Sequence, residues 1–484
     1  MLSPEIIEKY EMTIGIECHV QLATKTKLFS GADNDARDAE PNTKVSPIDW
    51  ALPGMLPVLN ERAVKLAVRL GLAMDSEINL VSRFDRKHYF YPDLPSGYQR
   101  TQMYHPIIGA GSIEVRDENG EPIKVRIEHA HLEEDAGKQT HFNDYSLVDL
   151  NRAGTPLVEV VSMPDIHSAI VARNFCQELW RLATFSGASF GDLYHGNIRF
   201  DINISAAPKG SSKLGTRVEI KNLNSFKSIE ATAHYEFARH IELIESGKGG
   251  EIIQETRGWD DAKQKTLSQR SKAEAADYRY MPDPNVPPLV LSKNFVDSIK
   301  ESMPIMPSQY RRLWDKLSLD SGVVETLLND ANKAKILTAT LTESNVEIAK
   351  TVANWLSGIL SADENANLDL SKVSIESLSE LAKMVLNHEL NSTAGKTILL
   401  ELWKTEDSPR KIAEELNLLQ VNDDSALETI VDEVLSMPAA TQAISDIKNG
   451  ELKAIGFLVG QVMKKSAGKA NPAKVQEIIK SKLQ

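Results

Sequence analysis

Between positions 14 and 22 the apolar residues Ile14, Ile16, Cys18, Val20 and Leu22 alternate with Gly15, Glu17, His19 and Gln21. A period of two predicts a strand with one face in a core, and it puts Glu17 and His19 together on the other face. Phe200, Ile202 and Ile204 alternate with Arg199, Asp201, Asn203 and Ser205, and Val218 and Ile220 alternate with Arg217, Glu219 and Lys221. A fourth segment, 126–138, brings His129, His131, Glu133, Glu134 and Asp135 towards a predicted strand end. Taken singly, each polar face needs only water. If the four pair in one sheet, Glu17, His19, Glu133, Glu134, Asp201 and Glu219 converge, and an oxygen-rich cluster with few soft ligands suits Mg²⁺ better than Zn²⁺. Mg²⁺ keeps waters and bridges phosphates, which points to ATP chemistry.

Other motifs carry less. The run 187–191 (GASFG) fits GxSxG, but the helical spacing of the preceding segment makes Gly187 a helix C-terminal residue rather than part of a nucleophile elbow. Gly137-Lys138 and Gly395-Lys396-Thr397 lack the earlier glycine of a phosphate-binding loop. Gly456 and Gly460 form GxxxG within a short apolar run, which predicts close helix packing. The His129-Ala130-His131 pair leaves open a metal hydrolase, although that chemistry favours more nitrogen ligands and a regular βα alternation. Cys18 and Cys176 occupy apolar positions, belong to no CxxC pair and support neither a disulfide scaffold nor a cysteine-rich zinc site.

The elements that must hold these residues fall into two kinds. Of 21 prolines, 18 lie at or before Pro307, and ten of the eleven histidines lie at or before His240. The first half reads as an antiparallel sheet with long loops, interrupted by helices over 62–74 and 169–185, so the fold class is α+β. After Pro307 the pattern is helical, with Ser344 and Glu347 forming a capping box ahead of Ile348, Val352, Trp355 and Ile359, and the same spacing recurring at Ile375, Leu378, Leu381 and Val385. The last 34 residues hold seven lysines against Glu451 and Glu477, a local charge of +5 in a 484-residue chain whose net charge is −13. An RNA partner must therefore use a local patch, although such a patch also serves as a solvated helix face. No stretch of about 18 apolar residues and no secretory leader is visible, which predicts a cytoplasmic protein.

Long motifs then add a resemblance that runs nearly end to end. IGIECHVQL (14–22), ALPGMLPVLN (51–60), RFDRKHYFYPDLPSGYQRTQ (83–102), HLEEDAGK (131–138), DLNRAGTPLVEVVSMPDI (149–166), GTRVEIKNLNSF (215–226), QETRGWD (254–260), DYRYMPDPNVPPL (277–289) and GFLVGQVMKKSAGKANP (456–472) stand in one order. Together they resemble the B-subunit family of aspartyl/glutamyl-tRNA amidotransferases. The resemblance implies a cradle-shaped antiparallel-sheet catalytic domain (1–294), an all-α helical domain (295–408) and a small, basic, tRNA-binding helical tail (409–484). It implies ATP-dependent phosphorylation of the side-chain carboxylate of Glu-tRNA(Gln) or Asp-tRNA(Asn), then amidation. A carboxylate is a poor acyl donor, so its oxygen must first become part of a leaving phosphate.

Carried over by the resemblance, Glu17, His19 and Glu134 are catalytic and hold Mg²⁺, while Glu133, Asp201 and Glu219 complete a neighbouring cation site. The resemblance also implies two partners, a glutamine-hydrolysing A subunit and a small C subunit. Ammonia comes from the first of these through a channel that includes Lys87; a surface lysine paired with Asp85 is the plainer account of that residue. Lys464, Lys465, Lys469 and Lys474 contact tRNA. Two departures stand out: the run before Arg199 reads DLYHGNIRFD (192–201), with Met163 where an acid is common, and the loop AEPNTKVSPIDW (39–50) lacks the cysteines of a zinc site. No zinc is expected. A non-catalytic tRNA-binding scaffold needs the basic tail but not the acids.

Overall fold

The computed structural model describes residues 3–483 apart from 224, 272–276, 362–368, 370–373, 406, 421–423, 449–451 and 467–469. They divide into two compact units, Met1–Pro307 and Ser308–Gln484. The first contains strands β1 (Tyr10–Gln21), β2 (Val81–Ser82), β3 (Asp85–His88), β4 (Tyr98–Thr101), β5 (Gly111–Arg116), β6 (Pro122–Glu134), β7 (Lys138–His141) and β8 (Ser146–Asp149). It continues with β9 (Pro156–Ser162), β10 (Ile198–Pro208), β11 (Val218–Leu223), β12 (Glu255–Asp260), β13 (Lys265–Ser271), β14 (Met281–Pro282) and β15 (Leu289–Val290). The main sheet runs β13-β12-β11-β10-β1-β9-β6-β4-β3-β14, with β5 paired to β6 off that path.

Alternation explains why β1 sits near the middle. Ile14, Ile16, Cys18 and Val20 are fully buried, and they join Val158, Val160, Ile202 and Ile204 of the neighbouring strands in one core with Phe175 and Leu179 of helix Ala169–Phe185. Fully burying a side chain of the Ile or Val class contributes roughly 1.5–3 kcal/mol, enough to fix which face of β1 turns inward. Both cysteines are free and buried, packed as small apolar side chains. Each helix of this unit longer than twelve residues starts on a side-chain cap: Asn60 accepts from the N–H groups of Arg62 and Ala63, Ser168 from that of Val171 and Ser225 from that of Ser228. Gly187, at φ +70°, follows the end of Ala169–Phe185 as its spacing predicts.

Three expectations are corrected. The sheet is mixed, because β11 and β12 pair in parallel. Helix Phe226–Glu245 lies between them in the chain and provides the long crossover that parallel pairing requires. Helix Val346–Ser357 is capped by Asn345, whose side chain accepts from the Ile348 N–H at 3.0 Å; Ser344 instead ends the preceding helix, its hydroxyl donating to the Thr340 carbonyl. The Gly456/Gly460 pair makes no close helix packing, since a Cβ at either would meet nothing within 4 Å among the described residues.

In the second unit, helices Ala331–Glu343, Val346–Ser357, Ile375–Leu386 and Ser392–Glu401 bury Leu337, Val352, Leu378, Leu381 and Ile398. A further cluster of Leu427, Val431, Leu458, Val462, Val475 and Ile479 ties together the last helices. Among the described residues no helix is long and apolar enough to cross a membrane.

The parallel β11–β12 edge rests on a buried ion network. Glu236, fully buried in helix Phe226–Glu245, accepts from Arg239 Nε (2.9 Å) and from the Thr266 hydroxyl of β13, lies 3.3 Å from Arg257 Nε of β12, and has His240 Nε2 at 3.5 Å. Burial pushes its carboxyl up, but His240, Arg239 and Thr266 outweigh that and hold it at about 2. Stability from a depressed carboxyl is present above its unfolded value of about 4.3 and lost as pH falls through its folded value. Glu236→Gln is therefore expected to destabilise the protein by about 3–5 kcal/mol at pH 7. In urea unfolding followed by circular dichroism, the gap to wild type should narrow between about pH 4.5 and pH 2.

Candidate active site

Five adjacent strands, β11, β10, β1, β9 and β6, turn their polar faces to the same side. In their register Glu17 stands opposite Asp201, Asn203 opposite Glu219, and Glu159 of β9 opposite both His19 and His131. Directly opposed residues share a face with Cβ atoms about 5 Å apart, so the register alone gathers these acids. Irregularities in the ladder fall at Phe200/Ile202 and Ile127/His129, beside the cluster.

The face resolves into two groups. In the first, His19 Nε2 lies 3.4 Å from Glu133 Oε1 and 3.7 Å from Glu159 Oε2, and His131 Nε2 lies 3.4 Å from the same Glu159 oxygen. In the second are Glu17, Asp201 and Glu219. Within each of these groups, His19–Glu133–Glu159 and Glu17–Asp201–Glu219, the nitrogen and carboxylate donor atoms lie within 4.8 Å of one another. One imidazole with five carboxylates fits a hard divalent cation such as Mg²⁺. Around the second group Asn203 Nδ2 donates to Glu17 (2.9 Å), Thr256 Oγ1 donates to Glu219 (2.8 Å), and Lys221 Nζ contacts Asp201 (2.7 Å) and Glu219 (2.9 Å). The Lys221 ammonium balances charge there.

The electrostatics follow from crowding. Burial first and the Glu159 charge second push the Glu17 and Glu133 carboxyls up. Glu159 is partly buried, yet the hydrogen bond and charge of His131, with His19 and Lys87, hold it well below the usual carboxylate range. Lys87 loses to burial but gains more from Glu133, Tyr280 and Glu159, so its ammonium is held up.

Glu134 goes elsewhere. Consecutive residues of a strand face opposite ways, so Glu133 joins His131 on the polar face while Glu134 joins Leu132 on the other. There Glu134 accepts from the Arg100 backbone N–H (3.0 Å) and its guanidinium (3.1 Å), and Arg100 Nε donates to Asp283 (3.1 Å). The structure thus groups Glu133, not Glu134, with His19. Glu159 was missed by sequence reasoning, although its signal was present: it is the lone acid in PLVEVVS, on the face opposite Val158 and Val160. Neither His129 nor His131 belongs to a potential metal-binding group among the described residues; the two rings stack with centroids 5.4 Å apart.

A cleft of about 760 Å³ opens over this face, lined by His19, Lys87, Glu133, Arg199, Asp201 and Lys221 among others. Lys87 lies over the Tyr278 ring, 5.0 Å from its centroid, rather than beside Asp85, which is buried and accepts from the Tyr104 N–H. In the altered segment before β10, Tyr194 is almost fully exposed and His195 Nδ1 meets Asp192 at 2.6 Å. Ser189 is buried, and its hydroxyl accepts from the Gly191 N–H (3.2 Å), which makes it a turn residue rather than a nucleophile. In the second unit Lys464 and Lys465 are exposed, Lys465 reaching Glu433 at 2.5 Å, and Lys474 is half-buried. Lys469 lies outside the described residues.

Known proteins match both units. The family model for the GatB/GatE catalytic domain matches residues 12–297, and that for the GatB domain matches 336–483. The B subunit of an aspartyl/glutamyl-tRNA(Asn/Gln) amidotransferase from Hahella chejuensis is 44% identical over 98% of this chain and 100% of its own length. Its counterpart of the same name from Trichodesmium erythraeum is 41% identical over 98% of each chain. A relative from Oryza sativa, named as the chloroplastic/mitochondrial B subunit of glutamyl-tRNA(Gln) amidotransferase, is 42% identical over 98% of this chain and 88% of its own. The strands that carry the grouped acids, and the tail that carries the lysines, thus lie within matched regions, and the chain belongs to the B-subunit family of these amidotransferases.

Proposed function

We propose that this chain activates the side-chain carboxylate of Glu-tRNA(Gln), Asp-tRNA(Asn) or both with ATP, and then directs its amidation. The observation that carries this reading is the pair of groups, His19–Glu133–Glu159 and Glu17–Asp201–Glu219, side by side on one sheet face under a cleft with three cationic side chains. The substrate carboxylate oxygen attacks the γ-phosphorus, ADP leaves, and an acyl phosphate forms. Ammonia then attacks the acyl carbon, and inorganic phosphate leaves with the former carboxylate oxygen.

Lys87, Arg199 and Lys221 supply positive charge where phosphate oxygens gather, and cations prepositioned in a cleft need little reorganisation as charge shifts. The two groups would hold Mg²⁺, which neutralises phosphate charge when bound. Glu134 acts through Arg100, fixing the strand next to Lys87. Ammonia arrives on the Lys87 side from a glutamine-hydrolysing A subunit, and a C subunit completes the assembly. Residues 1–294 form the catalytic part, 295–408 the helical part and 409–484 the tail, where Lys464, Lys465, Lys469 and Lys474 meet tRNA; the setting is the cytoplasm. A scaffold role finds less support, because a scaffold has no use for five carboxylates crowded onto one sheet face.

The test uses the chain assembled with its A and C subunits, ATP, glutamine and Glu-tRNA(Gln) or Asp-tRNA(Asn) carrying ¹⁸O in the side-chain carboxylate. Amidated product with one ¹⁸O in the released phosphate is expected, and unlabelled phosphate would rule out the acyl phosphate. Glu159→Gln should lower single-turnover amidation by at least roughly 100-fold. Because burial and neighbouring acids hold Glu17 and Glu133 in the protonated form to higher pH than usual, Mn²⁺ binding must displace protons. Mn²⁺ affinity, measured by calorimetry in buffers of differing ionisation enthalpy, should weaken as pH falls from 8 to 5, with proton release on binding.

A further inference from the structure

The His129-Ala130-His131 motif takes no part in the chemistry above, yet His131 lies against the first acid group. Strand β9 runs between β1 and β6 and carries Glu159 opposite His19 on one side and His131 on the other. Glu159 Oε2 is 3.7 Å from His19 Nε2 and 3.4 Å from His131 Nε2, and Glu133 Oε2 is 4.0 Å from the same His131 nitrogen. One imidazole nitrogen thus faces both carboxylates of the group from outside it.

The His131 ring has no other polar partner among the described residues. Its side chain is 7% exposed, and its Nδ1 is buried without a hydrogen bond. A buried nitrogen in that state costs stability that an apolar side chain of similar volume would avoid, so packing alone gives no reason for a histidine here. The ring stacks on His129 with 19° between the planes, and the ladder irregularity at Ile127/His129 comes just before it. Stacking and burial restrict where Nε2 can point.

His19 and His131 differ in what they can give Glu159. His19 Nε2, 3.4 Å from Glu133 and 3.7 Å from Glu159, is placed to offer its lone pair to a cation, and a nitrogen that does so has no proton left to donate. His131 stands outside the group and keeps its proton. Burial pushes the Glu159 carboxyl up, and His131 is the largest influence opposing that, ahead of His19 and Lys87.

We infer that His131 is a positioning residue: its Nε2–H holds one oxygen of Glu159, so that the carboxylate stays turned towards His19 and Glu133 when a divalent cation enters. His131 acts through Glu159 and is not itself a ligand. The inference rests on the reading of His19–Glu133–Glu159 as a cation group. A residue that orients a ligating side chain in this way supports metal affinity without meeting the metal, and its loss typically weakens binding by roughly 10- to 100-fold.

The second acid group supplies an internal control. Mn²⁺ beside His19 has a nitrogen ligand, whereas Mn²⁺ held by Glu17, Asp201 and Glu219 has side-chain oxygens only, and electron spin echo spectroscopy separates the two by their ¹⁴N modulation. Glutamine carries its amide nitrogen as far along the side chain as Nε2, and asparagine only as far as Nδ1. In Mn²⁺ titrations of the full chain, His131→Asn should weaken the nitrogen-modulated site by roughly 10- to 100-fold and leave the oxygen-only site unchanged, while His131→Gln should keep both at wild-type affinity. Thermal melting reports the fold of each variant. An unchanged nitrogen-modulated site in His131→Asn, equal weakening of both sites, or equal loss in both variants overturns the inference and leaves the cation reading in place. Wild-type protein with no nitrogen-modulated Mn²⁺ overturns both. Nitrogen-15 spectra of the wild type need no variant: His131 Nε2 should carry a proton before and after Mg²⁺ is added, and a bare Nε2 overturns the inference.

Discussion

The register of β1 between β10 and β9 determines which side chains can meet at the site. One face of β1 is fully buried, so a slip by one residue would turn Ile14, Ile16, Cys18 and Val20 outward and Glu17 and His19 into the core. Apolar burial thereby fixes which residues oppose one another across the strands, including a cluster of carboxylates that repel one another. Five carboxylates gathered on one face cost stability, which the core beneath offsets and which His19, His131, Lys87 and Lys221 reduce by pairing. Crowding shows in their ionisation: burial and the Glu159 charge hold Glu17 and Glu133 up, while His131, His19 and Lys87 hold Glu159 down.

The supporting shell works at a distance from the chemistry. Helix Phe226–Glu245 brings β12 parallel to β11, and β12 provides Thr256, whose hydroxyl holds one oxygen of Glu219. The Glu236 network secures that edge from below, tying the helix to β12 and β13. On the opposite side, Arg100 binds Glu134 and Asp283 at once, while Arg86 shares Asp283 at 3.1 Å, so β3, β4, β6 and the 281–285 segment are locked beside Lys87. Ordered second partners of this kind hold reacting side chains in place without touching them.

Much of this was legible in the sequence because period-two alternation is a local signal. It placed Glu17, His19, Asp201 and Glu219 on polar faces before any pairing was known, and helix Ala169–Phe185 was bounded by its spacing. Parity within 126–138 also separates Glu133 from Glu134, although counting the acids of that segment together, as well as the family resemblance, groups both with the cation site. Glu159 escaped because a single acid among apolar residues looks like a strand defect until its neighbours are known. The parallel β11–β12 pair and the place of His131 beside Glu159 depend on contacts between segments far apart in the chain, and no local pattern announces them.

If one sheet face holds two distinct cation-binding groups, a Mn²⁺ titration of the full chain, with free and bound metal counted by electron paramagnetic resonance, should reveal both. Two sites are expected in the wild type, with Glu159→Gln and Glu219→Gln each losing a different one and the double variant losing both. Wild-type protein that binds no Mn²⁺, or variants that keep both sites at unchanged affinity, would show that the two acid groups are not cation sites.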